Sequence, residues 1–422
     1  MQVGFSYTDL VPAYMDGDSG DIIELDEGES CPDDAVICGN FSRPDIFTTA
    51  NSTAEASHNF WLTIQAFVAT FPQYSKNGFH LTSESYGGHY VPIFSKYIED
   101  QNSKSIPGAT SIDLKSIIIG NGWLSPTLQT ASFYRYGFEA GETYDIPPPK
   151  DSVKKAVHDG YYGKGQCADL FRACDNGGTN KKCMRAATQC YVKVQEPWII
   201  GTERDNNDIR QLDPSPFPNG FYQDYLQLLK VREAIGAQQT FYQLNPTVGE
   251  AFSSTGDDAR ELGILNIIKG LLKRGFRVTL YAGDADYECN WLGIEAVADA
   301  IGVPGYDEAG YTNVTTPDNV VHGQVKQSGG FSFVRVYEAG HAVGAFQPLL
   351  LQTIFARTLA GKDLARGEAQ AVAQYRSIGP AKSTYREGNA TVQYKTWSES
   401  STYNYNSNMP TLEDFQPVWN GE

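Results

Sequence analysis

The stretch Leu114-Lys115-Ser116-Ile117-Ile118-Ile119-Gly120, followed by Asn121-Gly122, constrains the fold more than any other part of this chain. A strand with one face in water alternates apolar and polar residues. A continuous β-branched run bounded by glycine instead needs cover on both faces, as in a parallel sheet layered between helices. The surrounding pattern agrees. A short strand, GFHLT, leads into SESYGGHY and then into the helical VPIFSKYIEDQN. Further on, FRVTLYAGDADYECNWLGIEAVADAIG and FSFVRVYEAGHAVGAFQPLLLQTIFARTL repeat the strand-then-helix order. That alternation predicts βαβ units and an α/β fold. Upstream, Phe60, Ile64, Phe67, Val68 and Phe71 keep helical spacing from Ser52 to Phe71, where Pro72 closes the helix.

The 422 residues, at roughly 150 per domain, correspond to two or three domains or to one large α/β domain with insertions. We divide the chain into residues 1–122 and 266–366 as two parts of one core, 123–265 as an insertion rich in Tyr, Pro and Cys, and 367–422 as a loose polar C-terminal extension. Within the first part, residues 1–50 are acidic and turn-rich and read as a surface excursion. No internal repeat is evident.

Fifty acidic against 33 basic residues give a net charge of −17, which excludes a nucleic-acid partner because phosphate binding requires a basic surface. With 41% apolar and 12% aromatic residues the chain can build a core. No apolar run reaches the length of a membrane span. The start, MQVGFSYTDL, carries no signal-peptide pattern.

Six of the seven cysteines fall in pairs seven residues apart, Cys31 with Cys38, Cys167 with Cys174 and Cys183 with Cys190, and Cys289 stands alone. Positions i and i+7 share a helix face, so CADLFRAC-DNGGTN-KKCMRAATQC reads as two helices joined by a turn. Antiparallel packing would set Cys167 against Cys190 and Cys174 against Cys183. Other pairings stay open, since spacing does not fix connectivity. A zinc site is the alternative, but its short ligand spacings and nearby histidines are missing. Disulfides and the sequons at Asn40, Asn51, Asn313 and Asn389 point to a secreted or vacuolar protein. The absent signal peptide disagrees with that compartment, and a chain lacking its original start would reconcile the two.

Ser83-Glu84-Ser85-Tyr86-Gly87 lies between a predicted strand and a predicted helix, the context of a nucleophile elbow, with serine in place of the usual first glycine. Asp286 and His341 each follow a strand-like run, in the order Ser, Asp, His of α/β-hydrolases. In such a constellation Asp286 orients His341, His341 takes the proton of Ser85, and the Tyr86 N–H donates to the oxyanion. Three common residues in this order by chance is the alternative, and spacing does not choose between them.

Five stretches add to this pattern. GFSY, ESYGGHYVP, IIIGNGW, YAGDADYECNWLG and YEAGHAVGAF, in this order from residue 4 to about residue 360, closely resemble the serine carboxypeptidases, the family that includes carboxypeptidase Y, and especially its secreted fungal members. The resemblance implies an α/β-hydrolase fold whose stapled helical insertion forms a cap. It implies Ser85 as nucleophile, Asp286 as triad acid with Asp284 as rival, and His341 as base. It implies that Glu84 binds the substrate's free α-carboxylate, that Cys289 is unpaired beside the pocket, and that Glu288 stands at the pocket wall. Ala342 replaces the methionine that some members carry after the histidine. The implied reaction is release of C-terminal amino acids from peptides or proteins at acidic pH, with no cofactor and no metal. The family's W-N-G-G-P-G loop, which supplies a second oxyanion N–H, does not occur in this chain. We therefore expect a truncated chain, with the first strands of the family's sheet missing. Related acyltransferases with the same triad, and a catalytically impaired remnant or binding module, are the competing readings. A lipase or esterase fits less well, because neutral esters give Glu84 nothing to bind. Oligomeric state is not legible in the sequence.

Overall fold

The computed structural model describes residues 4–43, 45–139, 143–213, 215, 218 and 220–394, with the backbone of Tyr403–Asn404 and Met409–Pro410. The remainder of the predicted C-terminal extension lies outside the described residues. Three strands open the chain, β1 (Leu10–Met15), β2 (Ile22–Glu24) and β3 (Ile37–Ser42), and they form a small antiparallel sheet in the order β2-β1-β3. The main sheet holds β4 (Phe79–Glu84), β5 (Leu114–Gly120), β6 (Arg277–Gly283), β7 (Thr312–Thr315), β8 (Val321–Ser328) and β9 (Phe331–Val336), in the order β4-β5-β6-β9-β8-β7. Its first four strands run parallel, and β8 and β7 continue it antiparallel. This is an α/β-hydrolase fold.

The isoleucine run behaves as its composition requires. Ile117 and Ile119 enter the larger core with Val91, Ile98, Ile264 and Ile268, and Ile118 enters the core on the opposite face with Val334, Leu350 and Ile354. All three isoleucines are essentially inaccessible. Each such side chain contributes roughly 1.5–3 kcal/mol by leaving water, so β5 anchors the sheet and fixes where its C-terminal end lies.

Three parts of the chain depart from the sequence reading. The first 50 residues are not only a surface excursion, since β1 and β3 pack Val11, Ala13 and Phe41 against Ile22 and Tyr242. The hairpin β7–β8 was hidden because VHGQVKQS lacks apolar alternation. Its polar side chains are buried with partners: Lys326 bonds Asp299 and lies over the Tyr306 ring, and Gln327 accepts from the Leu364 N–H. The polar segment after residue 366 is largely exposed as far as residue 394 but anchored at points, since Tyr385 stacks on Tyr337 with centroids 3.7 Å apart and Val392 is buried.

In the 123–265 region, helices Cys167–Asp175 and Asn180–Cys190 pack side by side. Disulfides join Cys167 to Cys190 and Cys174 to Cys183, with Cα separations of 5.3 and 4.8 Å. Cys31–Cys38 is the third disulfide, and Cys289 is free and buried. Asn40, Asn313 and Asn389 are exposed, while Asn51 is half-buried. Among the described residues no helix is long and apolar enough to cross a membrane.

Candidate active site

β4 ends at Glu84 and the helix Gly87–Lys104 begins three residues later, so Ser85 occupies the turn between them with φ of 60°. For a non-glycine residue that conformation costs about 1–3 kcal/mol and persists only where its surroundings hold it. Here Ser85 N–H donates to Gly120 O at 3.1 Å, and Ser85 O accepts from Trp123 N–H at 2.9 Å. Close approach also dictates the two glycines after Tyr86. A Cβ on Gly87 would lie 1.9 Å from Ser83 Oγ, and one on Gly88 would lie 2.4 Å from Trp123 O. Ser83 thus fits where a glycine is usual because Gly87 leaves room for its side chain. The Tyr86 N–H has no backbone acceptor among the described residues, as befits a helix's first donors. The Tyr86 hydroxyl donates to Asp257 at 2.8 Å and fixes the turn from the far side.

β6 and β9 are neighbours, and the loops leaving their C-terminal ends carry Asp286 and His341. His341 Nδ1 lies 2.8 Å from Asp286 Oδ2. The same oxygen accepts from Asn121 Nδ2 at 2.6 Å and from Cys289 N–H at 3.2 Å. The Asp286–His341 contact leaves Nε2 as the nitrogen free to act on a second group. Burial lowers the proton affinity of His341, but Asp286, Glu84 and Glu288 outweigh it and raise its pKa to about 9. Asp284 is committed elsewhere: it accepts from Tyr144 OH at 2.7 Å and Glu338 N–H at 3.0 Å and pairs with buried Arg335 at 3.2 Å.

Ser85, Tyr86, Glu288 and Cys289 line one pocket of about 220 Å³, walled by Phe171, Cys190 and Tyr191 of the stapled insertion. Ser85 Oγ and His341 are not hydrogen-bonded to each other in this structure, and such bonds often tighten only when substrate binds. Glu84 lies outside the pocket lining but within electrostatic reach of His341 and Asp286, and desolvation raises its pKa. Desolvation also raises Glu288, which accepts from Asn206 at 2.8 Å and from Gln195. Burial pushes the Cys289 thiol well up. Ligand atoms of Asp286, Cys289 and His341 lie within 4.8 Å of one another, yet a soft metal would need this buried thiol ionised. Ala342 precedes the short helix Val343–Phe346 and does not line the Ser85 pocket.

Four contributors were not anticipated from sequence. Asn121, at φ of 39°, joins the end of β5 to Asp286 and accepts from Gly283 N–H at 3.1 Å. Its placement between glycines after the isoleucine run was the available signal. Asp258 lines the Ser85 pocket, with its pKa raised by desolvation. Asn206 O accepts from the N–H groups of Tyr287 and Glu288, both at 3.0 Å, and Asn207 O accepts from His341 N–H at 2.7 Å.

A parallel sheet with an elbow serine after one strand, and a paired Asp and His after two later ones, defines an α/β-hydrolase. Residues 1–361 match the family described as Serine carboxypeptidase, and the chain belongs to that family. It is 32% identical to Carboxypeptidase S1 homolog B of Arthroderma otae over 417 residues, covering 91% of this chain and 63% of that protein. It is also 32% identical to Carboxypeptidase S1 of Penicillium janthinellum, over 70% of each chain. The chain thus spans less than two thirds of the length of the Arthroderma relative. Its fold is similar to the crystal structure of Kex1(delta)p, a prohormone-processing carboxypeptidase from Saccharomyces cerevisiae, with a TM-score of 0.59, 21% identity, and 74% of this chain and 68% of that one covered.

Proposed function

We propose that this chain is a serine-type carboxypeptidase that releases C-terminal amino acids from peptides and proteins at acidic pH through an acyl-enzyme. The observation that carries this reading is the placement of Glu84, a half-buried acid directly before the elbow serine and in reach of the Asp286–His341 pair. Ser85 Oγ attacks the last peptide carbonyl as His341 Nε2 takes its proton, and the Tyr86 N–H donates to the oxyanion. His341 then protonates the leaving amino group, and water regenerates Ser85. Glu84 in its neutral form donates a hydrogen bond to the substrate's free carboxylate, which a lipase or esterase site would not require.

Two proton requirements oppose each other. Glu84 must hold a proton to bind a carboxylate, whereas His341 must lose one to act as base. They are reconciled because Glu84 and Glu288 contribute to raising His341. As these acids become neutral with falling pH, that contribution vanishes and His341 releases its proton more easily. The sign follows for a variant: Glu84→Gln removes one anion near His341, so the acid limb of kcat/KM for an amide substrate should move to lower pH. Glu84→Ala should weaken use of free-acid peptides by about 10- to 100-fold, the worth of a charge-assisted hydrogen bond, and spare the corresponding peptide amides. Equal losses on both substrates would assign Glu84 a purely structural part.

Glu288 and Asp258 supply the side-chain preference. Both line the Ser85 pocket, and opposite charges attract more strongly in such a partly dry cleft than in water. Arg or Lys at the penultimate position should therefore be favoured over Leu where these acids are ionised, and the preference should fade as falling pH neutralises them. Glu288→Leu should reduce the Arg-to-Leu ratio of kcat/KM by about tenfold, on the order of one exposed-to-buried charge contact; an unchanged ratio would refute this assignment.

Three disulfides fit an oxidising compartment, and we place the protein outside the cytosol or in the vacuole. Exposed Asn40, Asn313 and Asn389 should then carry N-glycans, read as a mass loss on endoglycosidase treatment. Protein from its native host with all three asparagines unmodified and its cysteines reduced would count against that placement.

A further inference from the structure

The end of the sheet away from Ser85, where β6 and β9 begin, holds a cleft of about 550 Å³. Leu272, Phe276, Val303 and Val372 give it apolar walls, and its charged lining residues are Lys269, Lys273, Arg277 and Arg376. All four are cationic in a chain where acids outnumber bases 50 to 33. Lys269 and Lys273 lie one turn apart on the helix Ile264–Lys273, and neither has an ion-pair or hydrogen-bond partner among the described residues. Arg277 donates to the carbonyls of Thr358 and Leu359 at 2.7 and 3.1 Å. Arg376 donates to those of Ala373, Tyr375 and Pro304, at 2.7, 2.7 and 3.1 Å. Carbonyls orient a guanidinium without neutralising it. Burial depresses the proton affinity of Arg277, as expected for a partly desolvated cation lacking a counter-charge.

The proposed peptide chemistry uses none of these groups. A cavity of this size suits a drug-sized ligand held by apolar walls and a few convergent polar groups. The charge here selects an anion and the walls select an apolar body. We propose that this cleft binds one medium-chain fatty-acid anion, with its carboxylate among Lys269, Lys273 and Arg277 and its alkyl chain along Phe276 and Val303.

Isothermal titration of the purified chain at pH 7.5, with laurate below its micellar concentration, tests this. One laurate should bind per chain. Affinity should fall at least tenfold in the Lys269→Glu/Lys273→Glu variant, and dodecyltrimethylammonium, with the same chain length and opposite charge, should not bind. Protein whose Ser85 is blocked by a fluorophosphonate should bind laurate as before. If the double variant melts early, Lys273→Gln decides, because Lys273 is exposed; it should weaken laurate at least threefold at an unchanged melting temperature. No saturable binding, equal affinity in the decisive variant, equal binding of the ammonium, or loss of binding on blocking Ser85 would each overturn the proposal.

Discussion

Ser85→Ala should lower turnover of a blocked peptide by on the order of 10⁴–10⁶-fold, and a fluorophosphonate should label Ser85 and no other serine. The expectation rests on the local geometry that holds Ser85 at positive φ between Gly120 and Trp123, strain that has no structural use unless the hydroxyl must stand clear of the sheet. His341→Ala should cost about as much, and the double variant little more than either, because the serine without its base and the base without its serine perform the same missing step. Asp286→Asn should cost about 10⁴-fold: the amide can present N–H where a carboxylate accepted one, which disfavours the tautomer that leaves Nε2 free. Labelling at a different serine, or losses that multiply across the double variant, would remove Ser85 and His341 from their assigned parts.

Much of this candidate site is legible in the sequence, for identifiable reasons. The isoleucines of β5 have no exposed face, so their sequence permits one environment only. The elbow shows itself in consecutive residues, Ser83 to Gly88, although Gly120 and Trp123 help to hold it, and Gly87 and Gly88 are there because side chains would collide with Ser83 and Trp123. The cysteine hairpin was readable from helix periodicity. What stayed hidden depends on partners distant in sequence. Asp284 and Asp286 are two residues apart, and composition cannot separate them; the difference is that Arg335 and Tyr144 reach one and His341 reaches the other. β8 looks like a polar loop until Asp299 and Tyr306 are placed against Lys326. The segment Asp205–Gln211 looks like solvated surface, yet Asp208, Arg210 and Gln211 are only 2%, 0% and 0% exposed. Hydropathy registers charge but not its neutralisation by a partner two residues on.

That segment carries the second large effect. Asn206 and Asn207 hold the Asp286 and His341 loops through the backbone bonds described above, and Ile209 N–H donates to Ala285 O at 2.9 Å. Its shape depends on Arg210, whose Nε and Nη2 meet the two oxygens of Asp208 at 2.9 and 2.6 Å and whose guanidinium lies over Phe346 at 5.1 Å. Arg210→Met keeps most of the volume but leaves the Asp208 carboxylate buried without its cation. Breaking a buried pair in this way costs about 3–5 kcal/mol, which in a chain of this size should lower the melting midpoint by roughly 3–6 °C. Turnover well below the transition should also fall, with kcat affected more than KM, because the loops carrying Asp286 and His341 lose register while the pocket walls remain. Asp208→Asn combined with Arg210→Met should recover part of the stability, since no unpaired charge is then buried, but not the turnover, since the segment still lacks the bidentate link that sets its shape. A single variant as stable and as active as the parent would show that the backbone bonds hold this segment without the ion pair.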